Sequence, residues 1–197
     1  MTAERLKSPA MVFSLQEGDL CLRGMLADDA AAVQQCRNLP EVARYQSWRP
    51  ASIQEVVELS HEQSDRAPGM QKEPFQLVIE ITDEDGKQHI AGDMGSGAFE
   101  PRNQMEVGIV LNPAWQGRGI ALRACRLLFD HLIAAGLHRI TARVDPRNEP
   151  SIKLFERLRF DREGLERQCW WDKDYNEWTD EILFAILASE WPNRRKY

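Results

Sequence analysis

The segment Gln116-Gly117-Arg118-Gly119-Ile120-Ala121 has the residue types and spacing of an anion site. It lies between an apolar run ending at Leu111 and a stretch of helical period, so the chain passes from strand to helix through a short loop. The first N–H groups of such a helix lack partners inside it, and its dipole places partial positive charge there. Gly117 and Gly119 let backbone approach a ligand closely, and Arg118 adds a full charge; a pyrophosphate fits that description. The same two glycines also suit a plain tight turn. Two other phosphate loops are excluded. No G-K-[ST] follows four spacer residues, and Leu122 stands where a dinucleotide fingerprint needs a third glycine.

The surrounding pattern predicts what holds this loop in place. Met105 to Pro113 reads as a strand. Ile120, Ala124, Leu127, Leu128 and Ala135 share a helical face, and Gly136 supplies a stop. Ile140, Ala142 and Val144 alternate on a following strand, which makes Met105 to Val144 a β-α-β unit with parallel strands and a right-handed crossover. Upstream, a short strand and a helix span Leu20–Leu39, with Asp28 or Asp29 as cap. A second helix covers Ser52–Gln63, with Ser52 as cap and Glu55 completing a capping box. Phe75, Leu77, Ile79 and Ile81 alternate in a half-buried strand, joined by the Asp83–Gly86 turn to a glycine-weakened partner over His89–Glu100. Downstream come a short helix over Pro150–Phe160 and two strands joined by a turn at Lys173–Asn176. The fold class expected is α+β, with a mixed, mostly antiparallel twisted sheet and helices on both faces.

Composition narrows the function. The chain has 197 residues, 43% of them apolar, which suits one domain over 1–197 with its core at about 20–191. A formal charge of −6 argues against a nucleic-acid surface. No apolar run reaches bilayer-spanning length, so no membrane partner is expected, and MTAERLKSPAMVF lacks the parts of a signal peptide. Cys21, Cys36, Cys125 and Cys169 are scattered and the histidines share no ligand spacing, so neither a disulfide framework nor a metal is expected. Reduced cytoplasm is the simplest compartment.

Gln116-x-x-Gly119-x-Ala121 resembles the R/Q-x-x-G-x-G/A signature of the GNAT superfamily of N-acetyltransferases. Glu106-Val-Gly-Ile-Val-Leu before it and Asn148-Glu-Pro-Ser151-Ile-Lys-Leu-Phe155 after it extend the likeness. The opening LRGMLADDAAAVQQCRNLPEVARYQSW and the ending TDEILFAILASEW are similar to the Rim-type branch, which includes acetyltransferases of ribosomal-protein N-termini; the resemblance covers roughly residues 20 to 191. It implies a GNAT-like fold in which the two parallel strands splay to admit CoA. The backbone at Val110 and Leu111 would pair with the acetyl and pantetheine groups. Amides of Gly117, Arg118, Gly119, Ile120 and Ala121, introduced by Gln116, would hold the pyrophosphate. Asn148 would bond the pantetheine region; by spacing alone it is equally a helix cap.

The activity implied is transfer of an acetyl group from acetyl-CoA to a primary amine, on a protein N-terminus or a small molecule, by direct attack in a ternary complex. An alkyl amine is mostly protonated near neutral pH, so a base is needed. Glu106 matches a position used as base in parts of the family; a salt-bridged strand glutamate is the alternative. Where many relatives carry a tyrosine acid, this chain has Phe155, which has no proton to donate. Ser151 is the nearest hydroxyl, with an early-helix serine as the alternative. Arg159-Phe160 replaces the family's G-F. Aromatic residues Tyr45, Trp48, Trp170, Trp171, Tyr175 and Trp178 fall in the acceptor region or the last hairpin, where core or dimer contacts are the commoner use. A homodimer is consistent with the resemblance. A non-catalytic acyl-CoA-binding module and an unrelated nucleotide-binding α/β domain are the competing classes.

Overall fold

The computed structural model describes residues 13–68, 74–98, 103–173 and 175–195. The N-terminal residues on which the reading of a missing leader rests, the tail of the His89–Glu100 strand and Asp174 of the last turn lie outside them. Two short strands, β1 (Ser14–Glu17) and β2 (Leu20–Gly24), precede three helices, α1 (Ala30–Arg37), α2 (Pro40–Ala43) and α3 (Ile53–Glu62). Strands β3 (Phe75–Thr82), β4 (Gln88–Ala98) and β5 (Gln104–Leu111) follow. Then come α4 (Ile120–Ala134), β6 (Arg139–Val144) and α5 (Glu149–Arg157). Strands β7 (Asp161–Asp172) and β8 (Glu177–Leu187) and a final turn of helix, α6 (Trp191–Arg194), complete the chain.

The strands form one sheet in the order β1-β2-β3-β4-β5-β6-β8-β7. Among the described residues only the β5–β6 pair is parallel. This is the α+β architecture the residue pattern calls for, with β1 as an additional edge strand too short to carry a period of its own.

Helices cover both faces. On one, α4 buries Ile120, Ala124, Cys125, Leu128, Phe129 and Leu132 against the sheet. That stripe corrects the expected one: Ala135 is exposed beyond the helix end, and Leu127 is only partly buried. Leu128 and Phe129 have no exposed surface, and burial of each contributes about 2–3 kcal/mol. Cys125 is packing, its thiol pushed up in pKa by burial. Phe155 joins the same core, stacked at 5.7 Å on Phe184 and edge-on at 5.3 Å to Phe160. On the other face Met25, Ala30, Val33, Val56 and Val78 pack together, and Cys36, Val42 and Val110 form a smaller group beside them.

The capping box forms with a shift. Ser52 Oγ accepts from Glu55 N at 3.2 Å, as expected, but the Glu55 carboxylate takes the amide of Ala51 at 2.9 Å and the indole of Trp48 at 3.0 Å. Glu55 therefore ties the helix start to the loop before it. Asp29 accepts from Leu26 N at 2.8 Å and also holds Arg23.

Candidate active site

Strands β5 and β6 pair only at Gln104↔Arg139, Met105↔Ile140 and Glu106↔Thr141. Beyond Glu106 they part, while β5 stays paired with β4 as far as Leu111 and β6 with β8 as far as Val144. A wedge opens with one unpaired edge of β5 along it. Antiparallel pairing alternates residues whose backbone groups face the partner with residues whose groups face away. Asn112 N donates to Ala91 O at 2.9 Å, so residues of its parity, Val110 and Gly108, are turned toward β4. The open edge then belongs to Val107, Ile109 and Leu111. Of the two backbone positions expected at the cleft, Leu111 stands on the open edge and Val110 does not. Residue types carry no information about that parity; it comes from the register.

Past Leu111 the chain makes a 3₁₀ turn, with Asn112 Oδ1 accepting from Ala114 N at 3.0 Å, and enters the glycine loop. Gln116 Nε2 donates to Leu111 O at 3.0 Å, binding the loop to the end of the strand. Gly117 and Gly119 have φ of 73° and 76°, left-handed conformations that a side chain would strain. A Cβ on either would meet no protein atom within 4 Å, so the space over the loop is open. Arg123 N is bonded to Gly119 O at 3.1 Å, which leaves the amides of Ile120, Ala121 and Leu122 without helical acceptors. Arg118 differs from its neighbours. It is exposed and lies 5.0 Å over the Trp115 ring.

The side chains of Glu106 and Val110, with the bare backbone of Gly108 between them, lie on the opposite face of β5 from those of Met105 and Val107. There Glu106 is ion-paired with Arg143 of β6. Arg143 Nε also reaches Glu166 at 2.7 Å and Glu181 at 4.0 Å, so one guanidinium serves three carboxylates from β5, β7 and β8. The hydrogen bond that Arg143 donates to Glu166, with Glu106 and Glu166 both nearby, raises the Arg143 pKa and keeps it charged. Burial raises the Glu181 pKa, and the charges of Glu106 and Glu166 add to the shift against the opposing effects of Cys169 and Arg143. An irregularity in β7 between Glu166 and Trp170 carries Gln168 at φ 50° and turns Cys169 so that its Sγ lies 3.6 Å from Glu181. Glu166, Cys169 and Glu181 bring one ligand-type atom each within 4.8 Å of one another, and Arg143 already supplies positive charge to that group. Burial is also the leading cause of the raised Cys169 pKa, so its thiol is not activated.

These parts line one cavity of about 1610 Å³. Glu106, Val110, Leu111, Gln116, Gly117, Gly119, Ile120, Ala121, Asn148 and Ser151 are all on its wall, so the structure brings the predicted residues together, with only the Arg118 side chain standing apart. Asn148 caps α5: its Oδ1 accepts from Ser151 N at 3.3 Å, which leaves its NH₂ able to donate. On the face that carries Glu106, Gly97 and Gly108 floor the cavity with no side chain, and a Cβ on either would meet nothing within 4 Å. Trp170 and Trp171 lie outside the core, 46% and 41% exposed at the rim, and Tyr175 and Trp178 are exposed beyond them, so of the two expected uses the core does not apply to them. Arg143, Glu166 and Glu181 were not singled out from the sequence. The available signal was a charge inside an otherwise apolar alternation, at Arg143 between Ala142 and Val144 and at Glu181 before Ile182.

Comparison with known proteins assigns the chain to a family. Residues 19–161 match the family model described as acetyltransferase (GNAT) domain. The uncharacterized N-acetyltransferase p20 of Bacillus licheniformis is 30% identical over 87% of this chain and 94% of its own. Spermidine N(1)-acetyltransferase of Escherichia coli K12 is 29% identical over 73% of each chain. The ribosomal-protein-S5-alanine acetyltransferase structure from Vibrio fischeri superposes with a TM-score of 0.75 at 24% identity, covering 91% of this chain and 98% of that one. The chain belongs to the GNAT family of N-acetyltransferases and is an enzyme.

Proposed function

We propose that this acetyltransferase carries an acetyl group from acetyl-CoA to a primary amine by direct attack within a ternary complex, in one unit spanning residues 1–197. The observation that supports this best is the continuity of the open β5 edge at Ile109 and Leu111 with the uncapped amides of α4. An extended amide-containing arm ending in a pyrophosphate matches both in order: strand-like hydrogen bonds first, then N–H groups at a helix start. Gln116, Gly117, Gly119, Ile120 and Ala121 would receive the phosphates, with Arg118 swinging from Trp115 to join them. Asn148 would donate to the arm from the other side of the wedge.

The amine would approach from the Glu106 face. Its nitrogen attacks the thioester carbonyl carbon, a C–N bond forms, the C–S bond breaks, and the sulfur leaves as thiolate. Backbone N–H groups at the β5 edge would stabilise the developing oxyanion. Glu106 is the proposed base for the amine proton, acting directly or through water once Arg143 has shifted onto Glu166. Glu181 is a second reading for that role, favoured by its raised pKa on the same wall. Phe155 is buried among Phe160 and Phe184 and has no part in proton transfer. Ser151, on the cavity wall, would be the hydroxyl that assists the departing sulfur; a thiol pKa of about 8.5 makes that step undemanding.

Relatives of two kinds, acting by their names on spermidine and on a ribosomal-protein alanine, bracket the acceptor. The Rim-type reading keeps the second and the carboxylates on the acceptor wall accommodate either. Thiol release from acetyl-CoA, followed with spermidine and with an alanine-initiated peptide, tests the proposal. Turnover with either supports it. Tight acetyl-CoA binding with no thiol release from any amine would leave a non-catalytic acyl-CoA-binding protein instead.

A further inference from the structure

Asp93 is fully buried in β4, directly opposite Val110 of the splayed strand, and it holds the guanidinium of Arg37 at the end of α1. Arg37 Nε lies 3.1 Å from both Asp93 oxygens, and Nη2 lies 2.5 Å from Oδ1. Gln76 Nε2 donates to the same carboxylate. The remaining arm of the fork, Nη1, donates to the carbonyl of Trp48 at 3.0 Å, and the Arg37 Cζ sits 4.5 Å over the Trp48 ring. Trp48 in turn gives its indole N–H to Glu55 of α3, and Asn38 gives its amide to Pro50 O at 2.9 Å.

A buried ion pair is a poor source of net stability, because desolvation offsets most of the attraction. A rigid planar fork is a good means of fixing direction. Here it joins the strand beside the open β5 edge to the loop between α2 and α3, and residues 44–49 of that loop line the same cavity as Glu106. The fork reaches only one backbone carbonyl of the loop, at Trp48, and it reaches the ring of the same residue.

We propose that Arg37, anchored by Asp93, is a positioning residue for the amine acceptor: it fixes Trp48 and the 44–49 loop as the acceptor-side wall without touching the cofactor. The proposal rests on the acetyltransferase reading of the cavity. It predicts that Arg37→Lys, which keeps the ion pair but cannot also reach the Trp48 carbonyl, separates two quantities. The KM for spermidine or the alanine-initiated peptide rises about tenfold, the equivalent of one hydrogen bond to a charged group, while the acetyl-CoA Kd stays within about twofold. Amide exchange across residues 45–50 quickens, and exchange in β4 does not. The double variant Arg37→Gln/Asp93→Asn, which removes both charges and keeps hydrogen-bonding groups, is expected to retain the melting transition and show the same split. Unchanged exchange at 45–50 in a folded variant, or a parallel loss of acetyl-CoA affinity, overturns the positioning role. Failure of the acetyltransferase reading is separately visible as a wild-type protein inert toward both amines; loop exchange then decides the role of Arg37 by itself.

Discussion

Glu106 and Glu181 approach one guanidinium from different strands and sit in different surroundings. Glu106 is half-exposed and ion-paired to Arg143, whereas Glu181 is more deeply set, 4.0 Å from the same group, with a raised pKa caused first by burial. On acidification Glu181 takes up its proton above the usual glutamate range and the wall loses a negative charge. The KM for a cationic acceptor should therefore climb as pH falls through that raised value. Glu181→Gln should show the high KM at every pH; initial rates against acceptor concentration across a pH series decide it, and a pH-dependent KM surviving in the variant would exonerate Glu181. Glu106→Gln, by contrast, is expected to lower kcat about a hundredfold with acetyl-CoA affinity unchanged. Wild-type kcat in that variant would remove Glu106 from proton transfer and leave Glu181 as the base. At this scale the sequence was most legible where a motif is contiguous, as at Gln116–Ala121. It was least legible where carboxylates from β5, β7 and β8 meet one arginine, because no spacing along the chain records a cross-strand register.

Strand β5 shows how an element can be identified correctly while its open backbone edge stays hidden. Its apolar alternation marks the strand, but the side chains say nothing of which backbone edge is free, so Val110 and Leu111 could be named together from sequence although they face opposite ways. A direct check is amide exchange with and without acetyl-CoA. Ile109 and Leu111 should gain protection on binding, while Gly108 and Val110, already paired to β4, should change little. Uniform protection along the strand, or none, would dismiss the open edge as the binding line. The helix starts were more readable because caps are local. Asn148 is the cap its spacing allowed and also lines the cavity. Asn148→Ala should cost about 1 kcal/mol of stability by urea titration and weaken acetyl-CoA binding as well. A stability loss alone would confine Asn148 to capping. The shifted capping box at Ser52 and the irregular β7 were beyond reach of pattern reading, since in each the tertiary partner, Trp48 for one and Glu181 for the other, decides the geometry.

At the scale of the whole molecule the sheet has two halves, β1 to β5 and β6-β8-β7, which pair with each other at three parallel residue pairs and are linked by the α4 crossover. That arrangement follows from the β-α-β unit, which is visible in the sequence as a change of period at the glycine loop. The extent of the splay is not visible there, because it depends on where pairing stops. A molecule so divided gains from any ligand that bridges the wedge, since it adds a partner to the free edge of β5 and occupies amides that lack helical acceptors. Binding that favours the folded state stabilises it by about 2.7 kcal/mol at a hundredfold excess over Kd. For a chain of this size that corresponds to a rise in melting temperature of roughly 5–10 °C. Acetyl-CoA should produce such a shift, and ATP or NAD, which cannot extend an amide-bearing arm along the β5 edge, should not. Gly119→Glu should abolish the shift by placing bulk and negative charge over the α4 amides, with little change in the unliganded melting temperature beyond the strain of a left-handed side chain. If ATP matches acetyl-CoA, the helix start alone is the binding determinant and the open strand edge contributes nothing. If Gly119→Glu keeps the full shift, the phosphate loop is misassigned, and the wedge must be filled from its acceptor side.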